Sequence, residues 1–184
     1  PNAFFDGFIP RLKKLKKLCP HFHISLQSGC DETLKRMNRR YNSSQYMKVV
    51  CELRSAFPDC TITTDVIVGF PGETEEEFEK SKAFIESVPF YKIHTFKYSV
   101  RKGTVAANMP DKISPEVQEI RSKQIIEISD RKTEEFPKTL KGMKAEVLIE
   151  KKDGKRYFGH ARNYLPVYVE SDKDIVNEIV TTVI

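Results

Sequence analysis

TTDVIVGFPGETEEEF, residues 63–78, is the stretch that decides the fold class. The predicted strand at 60–68 ends on three consecutive apolar residues, which is typical of a parallel-sheet strand covered on both faces. A glycine turn follows at 69–72, and Thr74 with Glu77 three residues later forms a capping box for a helix. The stretch therefore predicts a strand, a glycine loop and a helix in that order.

The segments on either side repeat this alternation. Further strands are predicted at 23–26 and 92–98. Apolar residues near helical spacing predict four more helices, at 9–18, from an N-cap at Asp31, at 44–57 and at 114–140. Strands that alternate with helices indicate an α/β fold with a parallel sheet, here the C-terminal part of a (β/α) barrel. A closed barrel needs more strands than these, and we expect the missing ones to precede Pro1.

After Gly142 the sequence changes to short strands separated by turns. These strands are predicted at 144–150, 156–161, 167–170 and 178–184. They suit a small all-β domain, such as a barrel of the oligonucleotide-binding type. We therefore divide the chain into 1–140, the part of the barrel, and 141–184, the β domain.

Length and composition indicate a globular protein. The chain has 184 residues, 39% of them hydrophobic, which is enough for one ordinary domain and a small second one. No run approaches the roughly 20 apolar residues of a membrane helix, and no signal peptide precedes the fold, so we expect a cytoplasmic protein with no membrane partner. The chain opens on an apolar run, Phe4, Phe5, Phe8 and Ile9, which predicts a piece of a longer protein.

The positive charge is unevenly distributed. The net charge is +5, and residues 11–54 carry eleven Lys or Arg against three acidic residues. Such a segment is compatible with phosphate contacts, because cationic side chains release counterions from a polyanion. A solvated helix face explains the same charges almost as well. Charge alone leaves nucleic-acid binding open.

The four cysteines do not predict a metal site. Cys19, Cys30, Cys51 and Cys60 are 11, 21 and 9 residues apart, which matches no zinc, cluster or secreted disulfide spacing. We expect reduced thiols that are buried or half-buried. Cys30 is the one for which another role stays open.

Candidate ligand-binding residues lie where the predicted strands end, the edge at which α/β folds bind ligands. Gln27 offers donors and an acceptor, Arg39 can bind a carboxylate through its planar fork, and Asp65 places a carboxylate within a strand. Together they suit a zwitterionic ligand. Each residue also has a purely structural explanation. Gln27 could close a turn, Arg39 could lie at a solvated helix end, and Asp65 could accept hydrogen bonds from neighbouring backbone.

Three segments together carry a family resemblance. HFHISLQSGCDETLKRMNRRY at 21–41, TTDVIVGFPGETEEEF at 63–78 and YSVRKGTVAANM at 98–109 resemble consecutive signatures of the radical S-adenosylmethionine (SAM) methylthiotransferases. The first segment is most similar to the branch that methylthiolates N6-threonylcarbamoyladenosine at position 37 of tRNA. The isopentenyladenosine branch usually has Pro and Ser where this chain has Ser25 and Cys30.

The resemblance implies a radical SAM barrel and, at 141–184, a TRAM domain that holds the anticodon region of tRNA. It implies SAM and two [4Fe–4S] clusters as cofactors. One cluster cleaves SAM to a radical that removes hydrogen from C2 of adenosine, and the other supports sulfur insertion. The cluster cysteines of the family precede this segment, so this chain is expected to ligate no cluster and to be inactive alone. Its partners would include the missing N-terminal domains.

The resemblance also suggests binding residues, while the catalytic residues stay unknown. Gln27, Arg39 and Asp65 resemble positions with which oxygen-independent coproporphyrinogen oxidase, a distant radical SAM relative, contacts SAM. Val68 and Gly69 approximate the superfamily's adenine-side pattern. An extruded base needs stacking and cationic surfaces near phosphates, so the candidate RNA contacts are Arg101, Lys102, Arg162, Asn163 and Tyr164.

Other functions remain in competition. The enzyme could act on isopentenyladenosine in tRNA or on a ribosomal-protein aspartate. A non-catalytic RNA-binding adaptor, with the barrel part as scaffold, is the alternative from another class. An incomplete barrel would expose sheet edges, so non-native self-association through an open edge is also expected.

Overall fold

A three-stranded parallel sheet organises the first part of the protein. The computed structural model describes Pro1 and residues 7–184, so Phe4 and Phe5 of the apolar run lie outside the described residues. The sheet has the order β1-β2-β3, and its strands are β1 His21–His23, β2 Thr61–Val68 and β3 Lys92–Lys97. Both strand pairs are parallel, with Asp65 beside His94 in the register. The predicted α/β organisation is confirmed.

Five α-helices alternate with these strands in the described residues. They are α1 Phe8–Leu12, α2 Asp31–Arg36, α3 Ser43–Ala56, α4 Glu75–Ser87 and α5 Pro115–Glu135. Two 3-10 turns follow β3 and α5, at Val105–Asn108 and Phe136–Leu140. The predicted capping box of α4 is confirmed, since Thr74 and Glu77 each bond the other's backbone N–H.

The first predicted helix and two predicted boundaries were wrong in detail. Helix α1 ends at Leu12 instead of residue 18, and Leu15 is 57% exposed, whereas Leu18 packs against the core from outside the helix. Cys30, not Asp31, occupies the N-cap of α2, and the Asp31 carboxylate instead accepts the Ser43 N–H at 2.7 Å. Strand β1 also lies two residues earlier than predicted.

One face of the parallel sheet carries the main core. Ile62 and Val66 of β2 pack among fully buried side chains of the helices, including Tyr46, Phe78 and Ile125. The Tyr46 hydroxyl donates to the Ile24 carbonyl at 2.6 Å, which satisfies its polar end within the core. The opposite face of the sheet is polar and partly exposed, which leaves it available for ligands.

A four-stranded antiparallel sheet forms the second part. Its order is β6-β5-β4-β7, with β4 Lys144–Asp153, β5 Arg156–Ala161, β6 Pro166–Glu170 and β7 Ile179–Val183. The four strands predicted after Gly142 are confirmed, with bounds that differ by three residues or fewer. Val147, Ile149, Tyr157 and Leu165 form the centre of its separate apolar core.

Asn163 joins the two sheets. Its side chain donates to the Asp59 carbonyl at 2.8 Å, and its own carbonyl accepts the Thr61 hydroxyl. It is 4% exposed. Among the described residues, no helix combines the length and apolar character needed to cross a membrane.

Candidate functional site

A cavity opens at the carboxyl ends of β1 and β2, on the polar face of the parallel sheet. It has a volume of about 550 Å³ and is lined by Gln27, Arg39, Asp65, Ile67, Phe70, Phe96, Lys97, Tyr98, Ser99, Arg101, Thr104 and Ala106. Three of the predicted cofactor residues and one predicted RNA contact therefore share one cavity. Its position agrees with the general location of ligand sites in α/β folds.

Two side chains contact the Asp65 carboxylate: His23 of β1 and Ser25, which follows that strand. His23 Nε2 lies 3.0 Å from Asp65 Oδ2, and the Ser25 hydroxyl donates to the same oxygen at 2.9 Å. The other imidazole nitrogen of His23 lies 3.0 Å from the Thr63 hydroxyl. Within Pro1 and residues 7–184, both side-chain contacts of Asp65 use Oδ2, so Oδ1 remains available to a ligand.

Gln27 lies four residues after the end of β1, where it forms an isolated parallel bridge to Val66 of β2. Its φ is 71°, a left-handed conformation that is uncommon for a residue other than glycine. Its N–H donates to the Asp65 carbonyl and its carbonyl accepts the Ile67 N–H, both at 2.8 Å. The backbone is therefore fixed to β2, and the side chain, 8% exposed as a residue, is directed to the cavity lining.

Arg39 is one of three cationic side chains that line the cavity, with Lys97, which pairs with Glu119, and Arg101. Arg39 follows α2, and its N–H donates to the Leu34 carbonyl at 2.9 Å. Its guanidinium has no hydrogen-bond or ion-pair partner within the part of the chain that the structure describes. A carboxylate ligand would supply that partner.

Aromatic side chains that the sequence analysis missed form one wall. Phe70 and Tyr98 meet edge to face with 5.3 Å between ring centroids. The Tyr98 hydroxyl is buried and lacks a hydrogen-bond partner among the described residues, which is costly unless a ligand or water supplies one. The alternation of Phe96 and Tyr98 at the end of the third strand was the signal that could have identified this wall.

Val68 and Gly69 lie outside the cavity lining. Val68 is a core residue, 1% exposed, and its carbonyl accepts the Tyr98 N–H at 2.9 Å. The Gly69 N–H donates to Glu73 Oε2 at 2.7 Å. Glu73 is itself paired with Arg121 at 2.8 Å, and burial raises the pKa of its carboxyl. These two positions shape the loop beside the cavity, and an adenine contact there stays a prediction.

The five predicted RNA contacts separate into two groups. Arg101 lines the cavity, and Lys102 beside it is exposed. Arg162, Asn163 and Tyr164 lie at the junction of the two sheets, where Arg162 donates to the carbonyls of Lys16 and Leu18. Asn163 is committed to the junction, whereas Tyr164 is 59% exposed.

The cysteines divide into two pairs. Cys30 and Cys60 are buried, as predicted, while Cys19 and Cys51 are exposed, so the expectation of buried or half-buried thiols was wrong for these two. Cys19 lies between α1 and β1, and Cys51 lies on the outer face of α3. Over Pro1 and residues 7–184, no group of three Cys, His, Asp or Glu side chains is arranged to hold a metal ion.

Comparison with known proteins now adds to this geometry. Residues 2–85 match the Radical SAM superfamily. A tRNA-2-methylthio-N(6)-dimethylallyladenosine synthase of Thermoanaerobacter sp. is 38% identical over 182 residues, which are 97% of this chain and 39% of the relative. Proteins of the same name from Acetivibrio thermocellus and Clostridium botulinum are 37% and 36% identical over 183 residues, 98% of this chain and 38% and 41% of those relatives.

These findings support the radical SAM family of tRNA methylthiotransferases. The chain spans about two-fifths of the length of these relatives. The closer resemblance to the N6-threonylcarbamoyladenosine branch is not confirmed, because the relatives carry the name of the dimethylallyladenosine enzyme. Radical SAM chemistry implies SAM and iron–sulfur clusters as cofactors.

The residues of the cavity fit the organic part of SAM. The Arg39 guanidinium suits its carboxylate, the free Oδ1 of Asp65 suits an ammonium or a ribose hydroxyl, and Phe70 and Tyr98 offer apolar surface to a base. The donor set is therefore complementary to a zwitterion that carries an aromatic base.

Proposed function

We propose that this chain is part of a radical SAM enzyme that adds a methylthio group to C2 of N6-dimethylallyladenosine in tRNA. The observation that carries the proposal is the cavity that brings Gln27, Arg39 and Asp65 together at the ends of β1 and β2. The substrate is suggested by the names of the relatives, which are similar along nearly the whole chain.

In this proposal the residues of the chain bind and orient the cofactor and the base. Arg39 binds the carboxylate of SAM, and Asp65, held by His23 and Ser25, binds its ammonium or ribose hydroxyls. Gln27 closes the cavity from the first strand. SAM together with a [4Fe–4S] cluster supplies the radical that removes hydrogen from adenosine C2. A rigid site matters because a reacting atom must be placed within a fraction of an ångström.

Other parts of the protein are proposed to carry out the remaining tasks. Two [4Fe–4S] clusters would be ligated by cysteines of a preceding segment, so the 184-residue chain alone would be inactive. Residues 141–184 would serve as a TRAM domain, and Arg101 and Lys102 would contact the anticodon region of tRNA beside the cavity. A cytoplasmic enzyme is the corresponding expectation for location.

A second candidate substrate is N6-threonylcarbamoyladenosine in tRNA. It is favoured by Ser25 and Cys30, at which the isopentenyladenosine branch usually carries Pro and Ser. Ser25 donates a hydrogen bond to Asp65, which Pro could not supply, and Cys30 Sγ donates to Glu32 Oε2 at 2.9 Å. Of these two contacts, the one from Ser25 depends on the identity of the residue, because a serine hydroxyl at position 30 could also donate to Glu32.

The test is methylthiolation by the longer protein that contains this chain, with its clusters reconstituted under anaerobic conditions. Substrates are tRNAs that carry either dimethylallyladenosine or N6-threonylcarbamoyladenosine, and the product is measured by nucleoside mass spectrometry. Modification of the first tRNA, lost in Asp65→Ala, supports the proposal. Modification of only the tRNA that carries N6-threonylcarbamoyladenosine would identify that nucleoside as the substrate instead.

A cluster-loaded protein that modifies neither tRNA would contradict both substrates. A ribosomal-protein aspartate or a non-catalytic adaptor would then have to be tested. Asp65→Ala must keep its cluster content and thermal stability for its loss of activity to count. Thr181→Ala, an exposed change on β7, is the matched control and is expected to retain activity.

A further inference from the structure

The loop that carries Phe70, residues 69–73, is held by a buried carboxylate. Glu73 Oε2 accepts the Gly69 N–H at 2.7 Å, and the Glu73 N–H donates to the Phe70 carbonyl at 2.9 Å. The Glu73 side chain is only 1% exposed. A single residue therefore fixes the backbone immediately before and after the Phe70 side chain.

Helix α5 contacts this loop through two residues that lie three positions apart, and so on one face of the helix. The first is Arg121, whose guanidinium pairs with the Glu73 carboxylate at 2.8 Å and also donates to the Glu73 carbonyl at 3.0 Å. The Arg121 side chain is 5% exposed. The carboxylate that fixes the loop is therefore itself fixed by α5.

The second residue of α5 is Gln118, which packs directly on Gly69. A Cβ at position 69 would lie 2.4 Å from Gln118 Cγ, so the contact requires glycine. Gly69 also has a φ of 71°, in the left-handed region that glycine adopts without steric cost. The helix therefore contacts the loop at both of its ends, at Gly69 and at Glu73.

Stability alone does not explain why this ion pair is buried. Apolar residues of similar volume often replace a buried pair with no loss of stability. Burial raises the pKa of the Glu73 carboxyl, whereas the Gly69 N–H and Arg121 oppose that effect. An apolar side chain could not accept the Gly69 N–H. We therefore attribute to the pair a role in the geometry of the loop.

The geometry of the loop reaches the cavity through the Phe70 ring. Phe70 is 7% exposed, lines the cavity and meets Tyr98 edge to face at 5.3 Å. The Tyr98 N–H donates to the carbonyl of Val68, the residue immediately before the loop. A change in the conformation of residues 69–73 would therefore move the Phe70 ring relative to Tyr98 and to the cavity.

We propose that Glu73, Gln118 and Arg121 are positioning residues, which act through the Phe70 ring on how the cavity binds the base of its ligand. All three contact the loop from the side of α5, behind the aromatic wall. The inference rests on the proposed function for the identity of that ligand, SAM, whose adenine would pack against the ring.

The first experiment tests the position of the ring without any ligand. The sequence contains no tryptophan, so Phe70→Trp introduces a single indole fluorophore. Time-resolved anisotropy separates its nanosecond motion from the tumbling of the whole chain. Addition of Gln118→Ala should increase the amplitude of the fast decay about twofold. Gln124→Ala, on the same helix but hydrogen-bonded to Lys82 at 2.8 Å, is the matched control and should leave it unchanged.

The second experiment compares a probe that contains the base, adenosine, with one that lacks it, methionine. NMR titration of the 184-residue chain measures both affinities. Glu73→Asp keeps the charge opposite Arg121 but withdraws the carboxylate from the Gly69 N–H. It should weaken adenosine binding about fivefold and leave methionine binding unchanged. Glu75→Asp, which alters the exposed partner of the same guanidinium, is the matched control.

Gln118→Ala should give the same pattern of affinities as Glu73→Asp, and it leaves the buried ion pair in place. It therefore keeps the test decisive if Glu73→Asp impairs folding. Urea denaturation of Gln118→Ala and Gln124→Ala checks that the two variants are equally stable.

Two results would overturn the inference. Equal indole motion in Gln118→Ala and Gln124→Ala would show that α5 does not fix the ring. Equal losses of adenosine and methionine affinity would show a general disturbance of the fold. If the unchanged chain bound neither probe, the proposed function would lose its cofactor, whereas the anisotropy comparison would still decide whether α5 positions the ring.

Discussion

His23 and Asp65 form a hydrogen-bonded pair across the parallel sheet, with 3.0 Å between Nε2 and Oδ2. The other ring nitrogen, Nδ1, lies 3.0 Å from the Thr63 hydroxyl, so both nitrogens of the ring have a partner. The imidazole therefore orients the carboxylate from a fixed position. Asp65 binds its ligand, in our proposal, through the oxygen that this pair leaves free.

We predict that Asp65→Asn weakens SAM binding to the 184-residue chain about tenfold, because the charge opposite the ligand ammonium is lost. His23→Asn should weaken it by a smaller factor, about threefold, because Asp65 loses its orientation but keeps its charge. Isothermal titration calorimetry gives both constants. His94→Asn, a change in a ring 6.0 Å from His23, is the control. Unchanged affinity in Asp65→Asn would contradict the cofactor assignment.

The buried Arg121–Glu73 pair should make a large contribution to the free energy of unfolding. Both side chains are nearly inaccessible, 5% and 1% exposed. We predict that Arg121→Met lowers the free energy of unfolding by about 3–5 kcal/mol, because Glu73 is left buried without its cation. Urea denaturation measures the difference.

Glu75→Gln is the matched control for that change. Glu75 pairs with the same guanidinium but is 70% exposed, so its loss should cost only about 0.5 kcal/mol. The double change Glu73→Gln/Arg121→Met should recover part of the loss, since no buried charge then remains unpaired. Equal costs for Arg121→Met and Glu75→Gln would show that burial does not govern this pair.

The Arg36–Glu77 pair should make stability depend on acid pH. The hydrogen bond from Arg36 holds the pKa of the Glu77 carboxyl below its ordinary value of 4.5, while burial and the Glu32 carboxylate oppose the effect. Because the folded-state pKa is the lower one, the pair contributes stability above about pH 4.5, which is lost as the pH falls through the folded-state value.

Arg36→Met should therefore lower the free energy of unfolding by about 1 kcal/mol at neutral pH and by much less in acid. Urea midpoints recorded across the pH range check this difference. Lys80→Met, which breaks the exposed pair with Glu76, should show little effect at any pH. A cost for Arg36→Met that stays constant into acid would argue against the assigned role of Glu77 ionisation.

The thiols should alkylate in two classes. Burial raises the pKa of Cys60 to about 11 and also raises that of Cys30, so both are protonated and shielded near neutral pH. Cys19 and Cys51 are exposed. Iodoacetamide followed by peptide mass spectrometry should label the exposed pair first, and unfolding in urea should equalise all four. Labelling of Cys30 as fast as that of the exposed thiols would contradict its burial in the folded protein.

Local patterns predicted the fold well where neighbours in the chain decide it. The capping box of Thr74 and Glu77 closes within four residues, and both of its hydrogen bonds are present, at 3.2 and 3.1 Å. The segment at 9–18 shows the opposite case. Its apolar spacing continues past Leu12, yet the helix ends there, Leu15 is exposed, and Leu18 reaches the core from outside the helix.

The candidate site shows the same division. Gln27 could be proposed from its position at a strand end and Asp65 from a carboxylate within a strand, but the aromatic wall of Phe70 and Tyr98 could not be proposed. Its two rings are 28 residues apart in the sequence, and they meet only because β2 and β3 pair in one register. A different register would place other residues at the cavity.

The sequence by itself determined the order of strands and helices, the capping box of α4 and the change to short strands after Gly142, because those features depend on residues within one or two turns of each other. Only the tertiary structure decided that His23 holds Asp65 and that Tyr164 meets His21. Such contacts join residues far apart in the chain, and strand register and the docking of the second sheet set them, neither of which is encoded in any local pattern.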